Sequence, residues 1–172
     1  MGTLSLAAGA ETIHMMAPPA FTDLYQRFSE TVYRAALRVT GNPADAEDAM
    51  QTVFVRVLNQ GGRLDPVAVP ERYFRRAAAN AGLDILRRRV SKAESQLDDA
   101  LPHAAAESPP LLKQRLRQAL ASLEPRDAEI FVLRYVEGLS NGEIAALCGV
   151  EKGRIAVRLH RIRQELKAEL EG

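Results

Sequence analysis

The chain has 172 residues, 47% apolar and 26% charged, a composition that excludes a disordered chain. The chain has 23 Lys and Arg residues and 22 Asp and Glu residues. The resulting net charge of +1 does not by itself indicate a negatively or a positively charged partner. A single cysteine excludes an internal disulfide framework and a thiolate zinc site. With three histidines far apart in sequence, a metalloenzyme or a His-based triad is not favoured either.

The segment 1–20 carries no Lys or Arg and so lacks the charged start of a secretory signal. We interpret it as a flexible leader, and Met15 and Met16 are alternative starts to Met1. No apolar run approaches the roughly 20 residues needed to span a bilayer. The chain is therefore expected to be cytoplasmic, without membrane insertion.

Three segments of the first half have apolar residues at helical spacing. The first runs from Phe21 to Val39, and Gly-Asn-Pro at 41–43 ends it and starts the next. The second runs from Ala46 to Leu58. The third runs from Phe74 to Leu86 and continues into three arginines.

The second half shows four more such segments: Leu112–Leu123, Ile130–Val136, Ser140–Cys148 and Ile155–Leu170. Ser140 and Glu143 have the spacing of a capping box, and Cys148 is expected to be buried and inert. Since no strand pattern occurs anywhere, the sequence predicts an all-α protein.

The charge is unevenly distributed along the chain. Residues 61–92 hold eight basic and three acidic residues, whereas 93–110 hold four acidic residues and no basic ones. The region 151–172 is basic again, with six against four. We therefore predict two small helical domains, 21–92 and 111–172, joined by a flexible linker at 93–110.

The C-terminal domain has the spacing of a helix-turn-helix. Ala145 lets two helices approach closely, and Gly149 can supply the turn between them. The second helix would expose basic residues suited to the major groove of DNA: Lys152, Arg154, Arg158 and Arg161. The alternative is a plain helical hairpin with a solvated basic face.

Two groups in the N-terminal domain are candidate binding surfaces. An acidic group on the second helix is either a docking face for a protein or only a favourable first helical turn: Asp45, Glu47, Asp48 and Gln51. A basic and aromatic group on the third helix suits single-stranded nucleic acid: Arg72, Tyr73, Phe74, Arg75, Arg76 and Asn80. Its alternative is that the rings belong to the core and the arginines only solubilise the chain.

Together these residues resemble an extracytoplasmic-function sigma factor of the sigma-70 family. The stretch 45–54 is similar to the segment that binds the clamp helices of the polymerase β′ subunit. The pattern Arg76, Asn80, Asp84 and Arg87-Arg88 is similar to the helix that opens the −10 element, and 133–161 to the domain that reads the −35 element. The departures are Tyr73 where Trp is usual, Glu151 where a Ser caps the helix, and three changes in the recognition helix: Arg154, Ala156 and Val157.

The resemblance implies a sigma factor that directs promoter recognition, −10 melting and transcription initiation. Its implied partners are core RNA polymerase, through the β′ clamp helices and the β flap, promoter DNA, and an anti-sigma factor. The acidic group would dock on polymerase, and the four basic residues of the last helix would contact the −35 element. The side chains implied to contact the −10 element are Leu64, Asp65, Arg72, Tyr73, Arg75, Arg76, Asn80, Arg87 and Arg88.

No catalytic residue, metal or cofactor is expected, because no carboxylate pair, nucleophile or phosphate loop stands out. The main alternative is a helix-turn-helix regulator with an N-terminal effector or dimerisation domain. That alternative explains the C-terminal motif equally well. It does not explain the acidic helix and the basic, aromatic helix together.

Overall fold

The structure, a computed structural model, describes residues 19–61, 64, 70–96 and 109–172. These residues contain seven α-helices and no strand, which confirms the predicted all-α class. The helices are α1 Pro19–Thr40, α2 Pro43–Asn59, α3 Glu71–Gln96, α4 Pro109–Ser122, α5 Pro125–Tyr135, α6 Asn141–Cys148 and α7 Lys152–Glu171.

Helices α1, α2 and α3 form a bundle around an aromatic core. Phe74 of α3 is fully buried, and its ring stacks on Phe28 of α1 with centroids 4.3 Å apart. At the start of α2, the side chain of Asn42 accepts a hydrogen bond from the backbone N–H of Asp45, and Pro43 occupies the first turn. Gly82 allows α1 and α3 to approach, because a Cβ there would lie 3.1 Å from Val39.

Helices α4 to α7 form the second bundle, which contains the helix-turn-helix. The Ser140 side chain accepts from the N–H of Glu143, and the Glu143 side chain accepts from the N–H of Ser140, so the predicted capping box is present. Gly149 ends α6 in the left-handed conformation (φ 64°), which glycine adopts without a Cβ clash. That turn directs α7 across α6.

The two bundles pack against each other. Four apolar residues of the first bundle belong to the hydrophobic core of the second: Val39, Ala79, Leu83 and Leu86. Arg117 of α4 also donates to the carbonyl of Val39, with Nε and O 3.1 Å apart. The N-terminal half of α3 therefore has one face on its own core and another on the second bundle.

The ends of the expected linker are helical, since α3 continues to Gln96 and α4 begins at Pro109. Residues 97–108, like residues 1–18 of the expected leader, lie outside the described part of the chain. None of the helices in the described residues is long and apolar enough to cross a membrane.

Candidate nucleic-acid interface

Helix α7 buries an apolar stripe of side chains and exposes basic side chains on its opposite face. Ile155, Leu159, Ile162 and Leu166 are buried at the spacing of successive turns and fix the rotation of the helix. Lys152 and Arg154 consequently lie exposed on the N-terminal turns, and the Arg154 side chain is 77% exposed. Val157, 72% exposed, is an apolar side chain on the same outer surface.

The start of α7 lacks a side-chain cap. Glu151 occupies the N-cap position, but its carboxylate makes no capping hydrogen bond. It lies instead 3.7 Å from the guanidinium of Arg154. The first turn of the recognition helix therefore has backbone N–H groups that no N-cap side chain satisfies.

The other two predicted basic residues of α7 are paired with an acid of α5. Asp127 is buried, and its two carboxylate oxygens lie 3.5 Å from Nε of Arg158 and 2.5 Å from Nη2 of Arg161. Both arginines therefore brace α7 against α5, and Arg158 is only about one-third exposed. Of the four predicted residues, Lys152 and Arg154 are the two that do not pair with this buried acid.

Helix α3 presents the predicted basic and aromatic group on one surface. Phe74 belongs to the core, as its alternative interpretation held, whereas Arg72 is exposed and Tyr73 half-buried. The Tyr73 ring packs edge-on against Phe74 at 5.5 Å. This contact holds the tyrosine at the boundary between core and solvent.

Three residues of that surface contact carboxylates of the second bundle. Arg75 donates from Nε to Glu137 at 2.8 Å, and Asn80 donates to Glu129 at 2.9 Å. Arg76 also pairs with Glu129. Both glutamates are buried, and these three partners come from the other bundle, while Glu129 also lies 3.7 Å from Arg126 of its own helix.

Two pKa shifts reflect this environment. Burial lowers the pKa of Arg76, but the hydrogen bond and charge of Glu129 raise it, and the net result is above its ordinary value. Burial raises the pKa of the Cys148 thiol, and the nearby carboxylate of Glu129 raises it further. Cys148 is therefore a buried neutral thiol, as expected.

The acidic group of α2 is divided between two environments. Asp48 and Gln51 are exposed and Glu47 is half-buried. Asp48 and Gln51 line a shallow depression of about 490 Å³ together with Thr52, Val55, Arg56 and Arg88. Val55 is 54% exposed, so this surface combines charge with an accessible apolar side chain.

Asp45 does not lie on that exposed face. It is 7% exposed in the first turn of α2, and Arg89 of α3 donates to its Oδ1 at 2.7 Å. A carboxylate at a helix N-terminus is favourable there. The spacing of three residues from Asp48 was compatible with a shared face, but Asp45 turns towards α3.

The other side chains predicted to contact the −10 element are scattered. Arg87 pairs with Asp84 at 3.0 Å, and Arg88 lies beside the depression on α2. Leu64 is half-buried and packs on the first core. Asp65 lies outside the described residues.

Several charged residues of these surfaces were not identified from the sequence. Arg38 of α1 forms a two-pronged pair with Glu137, although 99 positions separate them. No local motif signals this contact or the roles of the buried acids Asp127, Glu129 and Glu137. The only sequence signal is that all three acids lie next to apolar core positions in or just after α5.

The chain is similar to known transcription proteins in both bundles. Residues 24–91 match the family model described as sigma-70 region 2, and residues 113–166 match sigma-70, region 4. The chain is 38% identical over 155 residues to the RNA polymerase sigma factor CarQ of Myxococcus xanthus, with 88% of this chain and 89% of CarQ covered.

Two other similarities agree. The chain is 35% identical to the ECF RNA polymerase sigma factor SigE of Mycolicibacterium smegmatis, with 88% of this chain and 62% of SigE covered. The sigma factor RpoE of Bartonella quintana, solved in complex with the anti-sigma factor NepR, shares the fold. Its TM-score is 0.52 at 21% identity, with 86% of this chain and 94% of that chain covered.

The chain belongs to the sigma-70 family, as an RNA polymerase sigma factor of the extracytoplasmic-function group. The regulator alternative is not favoured, because it leaves the region 2 match of the first bundle unexplained.

Proposed function

We propose that three surfaces of this chain divide the work of promoter recognition. The exposed part of α2 docks on core RNA polymerase, α3 holds the melted −10 strand, and the start of α7 reads the −35 element. The observation that carries this proposal is the combination of two exposed features in one chain. One is a helix-turn-helix that exposes Lys152 and Arg154, and the other is an acidic and apolar face on α2.

The docking surface consists of Glu47, Asp48 and Gln51, with Val55 beside them. Val55 shares the depression with the carboxylate of Asp48 and with the guanidinium groups of Arg56 and Arg88. A partner helix that presents an apolar side chain and charges of both signs suits such a surface, because burial supplies affinity and charge sets the orientation. Asp45 lies outside this exposed surface, and its pair with Arg89 stabilises the packing of α2 on α3.

The −10 surface consists of Arg72, Tyr73, Arg75, Arg76 and Asn80 on α3, together with Leu64 and Asp65, which precede that helix in the sequence. Guanidinium groups neutralise phosphates, and an aromatic ring can stack on an unpaired base for about 1–3 kcal/mol. Arg87 and Arg88 would grip phosphates further along the helix.

The −35 surface is the N-terminal part of α7. Arg154, free of any buried partner, is the best-placed side chain for a base edge, and Lys152 for a phosphate. Arg158 and Arg161 are held by Asp127, and they would contact the phosphates of the DNA backbone while they remain in that pair. The exposed Val157 is suited to the methyl group of a thymine.

The polymerase would supply the chemistry, and the chain would act in the cytoplasm without catalysing a reaction itself. By analogy with RpoE of Bartonella quintana, which was solved with NepR, an anti-sigma factor is a further partner. Such a protein would have to cover at least one of the three surfaces.

Two measurements test the proposal. The chain is mixed with bacterial core RNA polymerase on a sizing column, and a promoter-free duplex is the control ligand. Co-elution with polymerase and promoter-dependent transcription from a genomic fragment library are expected. Binding to duplex alone, with no shift into the polymerase peak, would remove α2 as a docking surface and return the regulator alternative.

A further inference from the structure

A carboxylate lies beside the most exposed arginine at the start of α7. The Glu151 side chain is 85% exposed and the Arg154 side chain 77% exposed. Their nearest atoms, Oε2 of Glu151 and Nε of Arg154, are 3.7 Å apart, which is longer than a hydrogen bond. Residues three positions apart share one side of a helix. The two side chains therefore present an acceptor and a set of donors next to each other, and neither group is committed to the other.

Both side chains line a single depression of about 580 Å³ on the outer surface of the helix-turn-helix. The other residues that line it are Arg126, Val150, Gly153, Val157 and Arg158. Three of the seven lining residues are arginines and one is an acid, so the depression is positively charged overall. A carboxylate in such surroundings can approach DNA, because the neighbouring guanidinium groups offset its repulsion from the phosphates.

The stability of α7 explains neither Glu151 nor Gly153. Glu151 occupies the N-cap, where Ser, Thr, Asp and Asn are preferred, and it makes no capping hydrogen bond. Gly153 does not have a positive φ, and a Cβ there would meet nothing within 4 Å, although glycine is less favourable in a helix than alanine. Local choices that disagree with the fold are expected at functional sites. Since both residues line the same depression, we attribute them to binding.

We propose that Glu151 is a specificity-determining residue of the −35 surface and that it selects a cytosine. In the major groove cytosine presents its N4 amine, a donor, and an ionised carboxylate only accepts. Adenine also presents an amine, but the N7 acceptor beside it repels a carboxylate, and guanine and thymine present the acceptors O6 and O4. The inference rests on the proposed function of α7. It adds a second base to the guanine that suits Arg154.

The spacing of the two side chains places the two bases close together. Residues three positions apart on a helix have Cβ atoms about 5–6 Å apart, and successive base pairs rise by about 3.4 Å. The cytosine is therefore expected one or two base pairs from the guanine that Arg154 contacts. Gly153 lies between them in the sequence and carries no side chain, so the base edges can approach the helix there.

Transcription by the full chain with core RNA polymerase tests the proposal, with a promoter library randomised at the −35 element as the template. The readout is the relative enrichment of each base at each position, which a uniform change in DNA affinity does not alter. For the wild type, cytosine should be enriched at one position near the preferred guanine. Glu151→Gln should reduce that enrichment by at least about fivefold and raise adenine there, because glutamine both donates and accepts. Glu151→Ser should lose the cytosine without a gain of adenine.

Two further variants serve as controls. Arg154→Ala should lose the guanine and keep the cytosine, the converse of Glu151→Gln. Glu165→Gln removes a negative charge from an exposed position further along α7 and should leave every base preference unchanged. Circular dichroism checks that each variant is folded.

Three results for Glu151→Gln would overturn the proposal. An equal rise in transcription from every sequence would show that Glu151 only repels phosphates. Loss of the same guanine as in Arg154→Ala would show that Glu151 only orients that arginine, and unchanged preferences would place it outside the groove. A wild-type chain with no base preference at the −35 element would overturn the proposed function of α7 itself. An Arg154-dependent guanine without a Glu151-dependent cytosine would overturn this inference alone.

Discussion

Arg38 in α1 and Glu137 after α5 are joined by two parallel hydrogen bonds of 3.0 Å across 99 residues of sequence. A guanidinium and a carboxylate in this two-pronged arrangement fix direction as well as distance. Since Glu137 also holds Arg75, a single buried carboxylate ties α1 and α3 to the second bundle. Paired with that carboxylate, the Arg75 side chain is only 27% exposed.

Glu151→Ser should stabilise the recognition helix. A serine at the N-cap can accept from the second or third backbone N–H of α7, which Glu151 does not do. We expect the free energy of unfolding to rise by about 0.5–1 kcal/mol, which corresponds to roughly 1–4 °C in Tm. Glu165→Ser, at an exposed position in the middle of α7, should lower the Tm slightly. A Tm for Glu151→Ser at or below that of the wild type would contradict the role of the cap.

The capping box of α6 should make stability depend on pH. The hydrogen bond from the Ser140 backbone N–H, aided by the Ser140 side chain, lowers the pKa of Glu143. The folded chain therefore keeps this carboxylate ionised at a lower pH than the unfolded chain does. Its stabilisation is complete above about pH 5.5 and is lost as the pH falls through the lowered pKa.

Glu143→Gln keeps an oxygen acceptor at this position but cannot titrate there. In urea denaturation, the wild type should exceed Glu143→Gln in stability at about pH 6.5, and the difference should shrink at about pH 3.5. A difference that stays constant between the two pH values would show that the ionised form has no special role.

Substitutions of Asp48 and Asp45 should affect different properties, the affinity for polymerase and the stability of the fold. Asp48→Lys reverses an exposed charge in the proposed docking surface and should weaken binding to core polymerase at least tenfold, with unchanged unfolding. Asp45→Asn removes a buried charge paired with Arg89 and should cost about 1–2 kcal/mol of stability while it leaves the affinity intact. Fluorescence anisotropy with polymerase and urea denaturation measure the two effects. Asp23→Lys on α1 is the control, and equal affinity for it and Asp48→Lys would exclude a docking role for Asp48.

Arg154 and Lys152 should differ in how their loss affects sequence preference. Arg154→Ala should cost about 1–3 kcal/mol on promoters with the cognate −35 base and little on others. Lys152→Ala should weaken binding too, but by the same factor on every −35 sequence. Transcription from a library randomised at the −35 element measures both. A uniform loss for Arg154→Ala would assign that arginine to a phosphate.

The helices, the break between α1 and α2 and the helix-turn-helix could be predicted from the sequence, whereas α3 continues to Gln96, past the predicted domain end at Lys92. Apolar residues at helical spacing, the Ser140 and Glu143 pair and Gly149 each act through neighbours within a few positions. Phe74 illustrates the limit of such reasoning, since a basic and aromatic segment has the same pattern whether its ring packs inwards or stacks on a base. In the folded chain that ring stacks on Phe28, and Tyr73 beside it is only half-buried.

The partners of the charged residues were decided by tertiary structure alone. Asp45 has the sequence spacing of an exposed docking residue, but the packing of α3 beside α2 brings Arg89 to it. Glu129 and Glu137 lie 49 to 99 positions from the side chains of the first bundle that they bind, and no periodicity in the sequence links such distant positions. Local spacing determines which side of a helix a residue occupies, because the helical repeat is fixed. Which residues that side of the helix contacts depends on how the two bundles pack. That packing depends on the apolar surface of both bundles and on the ion pairs buried between them.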